Sequence, residues 1–472
     1  MIVSHIAAEC FPVLKAGGLG DVVGSLPKYL EKEGVDAKII VPYHASQFVK
    51  NGSWEVVFDE ILYFGYANHH IKIHRDLEKS LGFDLYLIEV PGMFPREKVY
   101  GYNDDPERFI FFQTIALLFM KTWKKKPDIV HCHDHHTGLI PFLMKYGYDF
   151  DVFKLTPSVF TIHNGEYTGQ MGWNKAELLP LYDVYQSGMM DWENTINPIT
   201  TGIKNAWLVT TVSDGYLLEL AQSHNSTGKA IQEQWMKSVG IVNGIDDEVW
   251  NPEVDPFLES NYGVKNVEAG KKKNKNTLCF RYGLNPDVPL LGFIGRMVGE
   301  KGADFMPQAI EKVLQQTKDV SFMIVGSGQA EYEGAIEYLK YKFPKNINTF
   351  IGYDESLAHL VYAGADYLMM PSRVEPCGLN QLYSMNYGTI PLVRKVGGLK
   401  DTVGDINDKG EGFTFIQANY LDFSDTILRA VYYPWKKGEL NNQRKKIMEI
   451  DHSWSKSAKK YIEYYQNLLD KK

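Results

Sequence analysis

At 472 residues the chain is too long for one hydrophobic core and suits two domains of roughly 200 residues each. A formal net charge of −8 argues against a nucleic-acid or membrane-surface partner, and no apolar run approaches the ~20 residues of a membrane span. Four cysteines without paired spacing (Cys10, Cys132, Cys279 and Cys377) argue against a disulfide framework and a cysteine-based zinc site; with an N-terminus lacking a basic leader, they point to a cytoplasmic protein.

Met1–Ala7 is a short apolar run that reads as a strand and gives way to a loop, Ala8–Ala16. Lys15-Ala16-Gly17-Gly18-Leu19-Gly20-Asp21 then leads into an amphipathic helix through Leu30. Strand, glycine loop and helix form an anion-cradling arrangement, with Lys15 as a cation at its lip. A Walker loop would need Gly-Lys-Ser/Thr after four spacers, and the dinucleotide fingerprint fails because Gly24 follows Gly18-x-Gly20 one position late. Asp36–Val41, a segment around Ile71 and Leu85–Val90 read as further strands, and Pro106–Trp123 as a helix.

Ile129-Val130 leads into His131-Cys132-His133-Asp134-His135-His136. Four histidines in six positions invite a metal reading, but no second ligand cluster of matching type accompanies them. The better reading is a strand end delivering Asp134 and neighbouring imidazoles into a cleft. Ser158–Ile162 ends likewise in His163-Asn164-Gly165-Glu166-Tyr167, and Val209–Val212 is followed by Ser213 as a helix N-cap. Gly240–Pro256 reads as strand, turn and extended connector, which places the domain boundary there. The basic runs Lys124–Lys126 and Lys271–Lys275 read as solvated loops.

A second alternating set begins at Leu290–Ile294, followed by Arg296, Lys301 and a helix over Ala303–Gln315. Ser321–Val325 and Thr349–Ile351 are strands, the latter ending in Gly352-Tyr353. From Asp366 to Val403 the pattern is strand (Tyr367–Met370), loop, helix (Leu379–Tyr387), strand (Ile390–Val393) and a Gly397-Gly398 turn opening a short helix. The loop holds one carboxylate, Glu375, followed by Cys377 and Gly378 at the helix opening. Free N–H groups at helix starts grip oxygens, two cations suit phosphates, and a carboxylate accepts from hydroxyls. These parts describe a sugar-nucleotide pocket. The final helix, about Ser455–Leu469, is expected to pack back across the connector. Expected boundaries are 1–245 for an N-terminal acceptor domain, 246–450 for a nucleotide-sugar domain and 451–472 for the returning helix.

In order along nearly the whole chain, these motifs resemble the bacterial glycogen synthases and plant starch synthases. The likeness is carried by Lys15-Ala16-Gly17-Gly18-Leu19, His133-Asp134, Thr161-Ile162-His163-Asn164, Asn243-Gly244-Ile245-Asp246 and Trp250-Asn251-Pro252. Arg296 with Lys301, Glu375-Pro376-Cys377-Gly378-Leu379, Gln381-Leu382-Tyr383 and Gly397-Gly398-Leu399-x-Asp401-Thr402-Val403 complete it. Ala16 and Asn380 stand where the family has Thr, Gly165-Glu166 replaces an apolar pair, and Ser213-Asp214 replaces Ser-Pro. Tyr383 stands where many other transferases of this fold carry a second Glu, a departure the glycogen synthases share.

The resemblance implies an α/β protein with two Rossmann-like domains facing across a deep cleft (the GT-B fold). It implies transfer of glucose, with retention, from ADP-glucose to the non-reducing 4-hydroxyl of an α-1,4-glucan, with no cofactor and no metal. Arg296 and Lys301 would neutralise the diphosphate, helped by N–H groups after Gly398 and Leu399. Lys15, Gly18 and Asp21 would contact the donor from the other domain. Glu375 and the amides of Cys377, Gly378 and Leu379 would hold the glucose, and Tyr353 would lie against the base. Asp134, His163 and Asn243 would line the sugar side, with the His163 carbonyl facing the reacting carbon. Two other readings stay open: the same transfer from UDP-glucose, and a catalytically silent sugar-nucleotide or glucan-binding regulator. A retaining glycosidase would need two carboxylates about 5–5.5 Å apart, and Glu375 has no evident local partner.

Overall fold

The structure, a computed structural model, describes residues 1–471. The chain divides into two compact units, one formed by residues 1–243 with the C-terminal helix Trp454–Asp470, the other by Gly244–Ser453. Among the described residues no helix is long and apolar enough to cross a membrane.

The first unit is built on β1 (Ile2–Ile6), β2 (Asp36–Pro42), β3 (Trp54–Phe64), β4 (Ala67–Asp76), β5 (Asp84–Glu89), β6 (Ile129–His133) and β7 (Ser158–Ile162). Three two-residue strands, β8 (Met171–Gly172), β9 (Asp191–Trp192) and β10 (Thr195–Ile196), form a separate small sheet. With β11 (Leu208–Thr211) and β12 (Ser238–Gly240), the main sheet runs β12-β11-β7-β6-β1-β2-β5-β4-β3. Only the β5–β4 and β4–β3 pairs are antiparallel. All residues of β1, β6 and β7 are buried, as expected of parallel strands covered on both faces. Strand order reverses between β1 and β6, so the loops after these two strands border the crevice where open α/β sheets take ligands.

The second unit has β13 (Leu290–Ile294), β14 (Ser321–Gly326), β15 (Ile347–Ile351), β16 (Tyr367–Met370), β17 (Ile390–Arg394) and β18 (Phe413–Phe415). They pair in parallel in the order β15-β14-β13-β16-β17-β18, with the reversal between β13 and β16. The loops after those strands carry Arg296, Lys301 and Glu375. Trp454, Ala458, Tyr461, Tyr465 and Leu468 of the last helix recur at helical spacing and belong to the core of the first unit.

The basic run Lys271–Lys275 is not a solvated loop. It lies in the helix Val267–Tyr282, where Lys271 and Asn274 are buried. Lys271 Nζ donates to the carbonyls of Tyr362, Ala363 and Tyr387 and to Thr389 Oγ1, and Lys275 pairs with Asp366 at 2.7 Å. Lysines can turn inward here because the helix ends they face leave carbonyls unpaired. The strand expected from Gly240 ends at that residue, and the helix expected from Ala303 starts at Met306, after Gly302 turns the chain in a left-handed conformation (φ 77°).

Candidate active site

In the second unit the centre is Glu375. Its carboxylate accepts from Lys301 Nζ at 2.8 Å on both oxygens and from Ser372 Oγ at 2.8 Å. The group is largely buried, so a charge left there without these donors would be expensive. An ammonium has three N–H groups. Two face Glu375. The following turn is fitted to this loop with little room to spare. The Gly398 N–H donates to the carbonyls of Glu375 (3.0 Å) and Pro376 (3.2 Å). A Cβ on Gly397 would lie 2.1 Å from the Glu375 carbonyl oxygen, and Gly397 adopts φ 44°, so only glycine serves there. The Leu399 N–H donates to Val396, and its side chain is in the core.

Around this centre, Asn380 Nδ2 donates to the Ile294 carbonyl at 2.7 Å, tying the helix Asn380–Asn386 to the end of β13. Leu379 packs on the core, Cys377 is buried, and Gly378 adopts φ 73°. Arg296 is mostly exposed and lies 3.6 Å from Glu300. Tyr353, past the end of β15, is 82% exposed.

In the first unit the glycine loop is not an empty anion cradle. The N–H groups of Ala16 and Gly17 donate to Glu9 Oε2 at 2.6 and 3.0 Å. Glu9 is buried, also bonds the Tyr100 hydroxyl, and has its carboxyl pushed upward by that burial. Gly18 opens the helix Gly18–Lys32, and Lys15 pairs with Asp21 at 2.8 Å on the surface. Across the strand-order reversal, Asp134 has φ 56°, and its Oδ1 accepts from the N–H of His163 (2.7 Å) and Asn164 (3.4 Å). Asn243 is buried, and its Oδ1 has no protein partner among the described residues. Of the clustered histidines, His131 and His133 are buried at the end of β6, where His133 meets His5 and His163, and His136 is buried against Phe109 and Tyr100.

Residues 2–233 match the family described as the starch synthase catalytic domain, and residues 274–448 match glycosyl transferases group 1. The glycogen synthase of Flavobacterium johnsoniae is 45% identical over 473 residues, covering all of both chains. That of Thermodesulfovibrio yellowstonii is 38% identical, covering 99% of this chain and 98% of its own. The chain belongs to the glycogen and starch synthase family. Among solved structures, the catalytic domain of starch synthase IV from Arabidopsis thaliana, bound to ADP and acarbose, superposes with a TM-score of 0.89 at 33% identity, over 99% of each chain. A sucrose-phosphate synthase from Thermosynechococcus elongatus (TM-score 0.62, 16% identity) shares the fold. This synthase therefore has the two-Rossmann GT-B architecture of a glycosyltransferase.

Glu9, His5 and Tyr100 escaped the sequence reading of this synthase. Glu9 could have been suspected as the only carboxylate between β1 and the glycines. Tyr100 had no local signal.

The Asp134 environment makes stability depend on pH. Burial lifts its carboxyl to about 7, against the lowering effect of the two N–H bonds and with a further push from Glu9. The folded value lies above the unfolded one, so the contribution is fully present below about pH 4 and is lost as pH rises toward 7. Asp134→Asn removes the charge and keeps an oxygen for both amides. Its stability relative to wild type is expected to rise by roughly 2–3 kcal/mol between pH 5 and pH 8.5. Denaturant titrations at the two pH values check this; a difference independent of pH would contradict it.

Proposed function

We propose that this synthase transfers the glucosyl group of ADP-glucose, with retention of configuration, to the non-reducing 4-hydroxyl of an α-1,4-glucan. The observation that carries the reading is the Lys301–Glu375–Ser372 cluster set against the Gly397-Gly398 turn. It joins a cation, a buried carboxylate and a helix start within a few ångströms, which suits a phosphate-linked sugar. The ADP and acarbose of the Arabidopsis relative add a nucleotide diphosphate and a glucan-like oligosaccharide to that picture.

In this reading Glu375 accepts from glucose hydroxyls, with the backbone at Cys377, Gly378 and Leu379 alongside. Lys301 and Arg296 stabilise the departing diphosphate; the Gly398 and Leu399 N–H groups, expected to help them, are taken by the carbonyls of Glu375, Pro376 and Val396 and hold the Glu375 loop in place instead. Lys15, Gly18, Asp21 and Asn243 complete the donor contacts, and Tyr353 offers its exposed ring to the base. Asp134 orients the His163 backbone, whose carbonyl faces the reacting carbon. Charge that develops on leaving oxygens in an oxocarbenium-like transition state is stabilised by fixed cations and amide dipoles, so no protein nucleophile is required. Stacking on an aromatic ring is worth ~1–3 kcal/mol per base, and a purine overlaps the Tyr353 ring more than a pyrimidine does. ADP-glucose is therefore expected to exceed UDP-glucose in kcat/KM with glycogen as acceptor. A UDP-glucose value equal or higher would refute the donor assignment.

A further inference from the structure

Beneath Asp134, the imidazoles of His5, His133 and His163 stand in file across the adjacent strands β1, β6 and β7. His5 Nδ1 lies 3.1 Å from His133 Nε2, and His133 Nδ1 lies 3.0 Å from His163 Nε2. A fourth ring, His131, stacks on His133 at 4.3 Å but bonds elsewhere, to the Tyr465 hydroxyl (2.7 Å) and Thr161 Oγ1 (2.6 Å). Burial holds the three rings of the file neutral.

A neutral imidazole has one N–H and one bare nitrogen, so each ring in such a file fixes the next. Only two arrangements are possible. In one, every ring carries its proton on Nε2, which puts an N–H on His5 Nε2. In the other, every ring carries it on Nδ1, which leaves His5 Nε2 with a lone pair. His5 is fully buried, and its Nε2 has no protein partner among the described residues. An orphaned buried donor is rarer than an under-satisfied acceptor. The second arrangement is favoured.

We propose that His5 and His133 are positioning residues that fix His163 in its Nδ1–H form, so that His163 meets the sugar as a hydrogen-bond donor. The inference rests on His163 lying on the sugar side, as assigned above. The donating sequence is His5 Nδ1–H to His133, His133 Nδ1–H to His163, and His163 Nδ1–H to a substrate hydroxyl. Nitrogen atoms of His5, His131 and His133 also lie within 4.8 Å of one another. A metal there would have to take nitrogens that the file and the Tyr465 and Thr161 bonds already use.

Two replacements of His133 separate positioning from packing. His133→Asn sets an amide nitrogen where Nδ1 stood and keeps the donor to His163; His133→Leu removes it. The leucine variant is expected to lose on the order of tenfold in kcat/KM, the scale of one buried hydrogen bond, and the asparagine variant to recover most of that loss, both with cooperative melting. In wild-type protein labelled with 15N-histidine, and assigned with His163→Ala, His163 is expected to show a protonated Nδ1 and a bare Nε2. A His163 protonated on Nε2, equal kcat/KM for the two His133 variants, or one equivalent of a transition metal in the purified protein would overturn the proposal. Full activity in His163→Ala would instead refute the sugar-side assignment of His163, while the nitrogen spectrum still judges the file.

Discussion

Lys301→Ala and Glu375→Gln are each expected to lose on the order of 10²–10³ in kcat while remaining folded, the usual consequence of removing one group aimed at developing charge. The geometry makes the two residues one device. Glu375 takes both of its Lys301 bonds at 2.8 Å and a third from Ser372, so the carboxylate is held in one orientation. In the proposed reading, removing Lys301 takes a cation from the leaving group, and it also frees the carboxylate to turn. Glu375→Gln keeps the shape but replaces one acceptor oxygen with a donor, which then faces Lys301. Because the groups act through each other, the double variant is expected to be little worse than the worse single one, as in other catalytic units. Initial rates with ADP-glucose and glycogen, beside melting curves, measure this. Near-normal turnover in either single variant would contradict the assignment, and fully multiplicative losses would contradict the coupling.

The second large effect concerns stability. Lys271→Met is expected to cost roughly 1–3 kcal/mol, because it strands the Ala363 carbonyl inside the second unit and takes a donor from three further oxygens. Nζ of Lys271 satisfies the Tyr362 and Ala363 carbonyls at the end of the helix Glu355–Gly364. It also satisfies the Tyr387 carbonyl just past the helix Asn380–Asn386 and the Thr389 hydroxyl leading into β17. Methionine matches the stem in length and brings no donor; the Tyr362 and Tyr387 carbonyls keep the hydroxyls of Thr389 and Tyr262, while the Ala363 carbonyl faces an apolar group. These contacts gather before the start of β17, whereas Glu375 follows the end of β16. Activity per folded molecule is therefore expected to hold. A urea midpoint shift equivalent to less than about 1 kcal/mol would show that the oxygens find other donors.

What the sequence disclosed, and what it hid, follows from how local each feature is. The buried parallel strands read as short apolar runs, and Ser213 read as an N-cap; its hydroxyl does accept from the Tyr216 N–H at 3.0 Å. The glycines at 397 and 398 read as a turn opening a short helix with free N–H groups; the helix is there, but the N–H groups of Gly398 and Leu399 bond the carbonyls of Glu375, Pro376 and Val396. Lys271 was misread because a run of lysines resembles a solvated loop, and only contacts 91 to 118 residues away turn it inward. The strand Trp54–Phe64 was missed because a bulge between Val56 and Phe58 breaks its alternation. His5 within β1 and Glu9 just after it are single polar residues, and their partners at His133, Ala16 and Gly17 are set by the fold. The occupied glycine loop matters most for function. With Ala16 and Gly17 held by Glu9, this loop does not offer those two N–H groups to a ligand.

The central claim is retaining transfer to a glucan, and the stereochemistry of the product tests it most directly. Maltoheptaose incubated with ADP-glucose and the purified chain is expected to yield longer oligosaccharides whose new linkages are all α-1,4 by proton NMR, with one ADP released per residue added. Release of free glucose without chain growth, or a β-linked product, would contradict it.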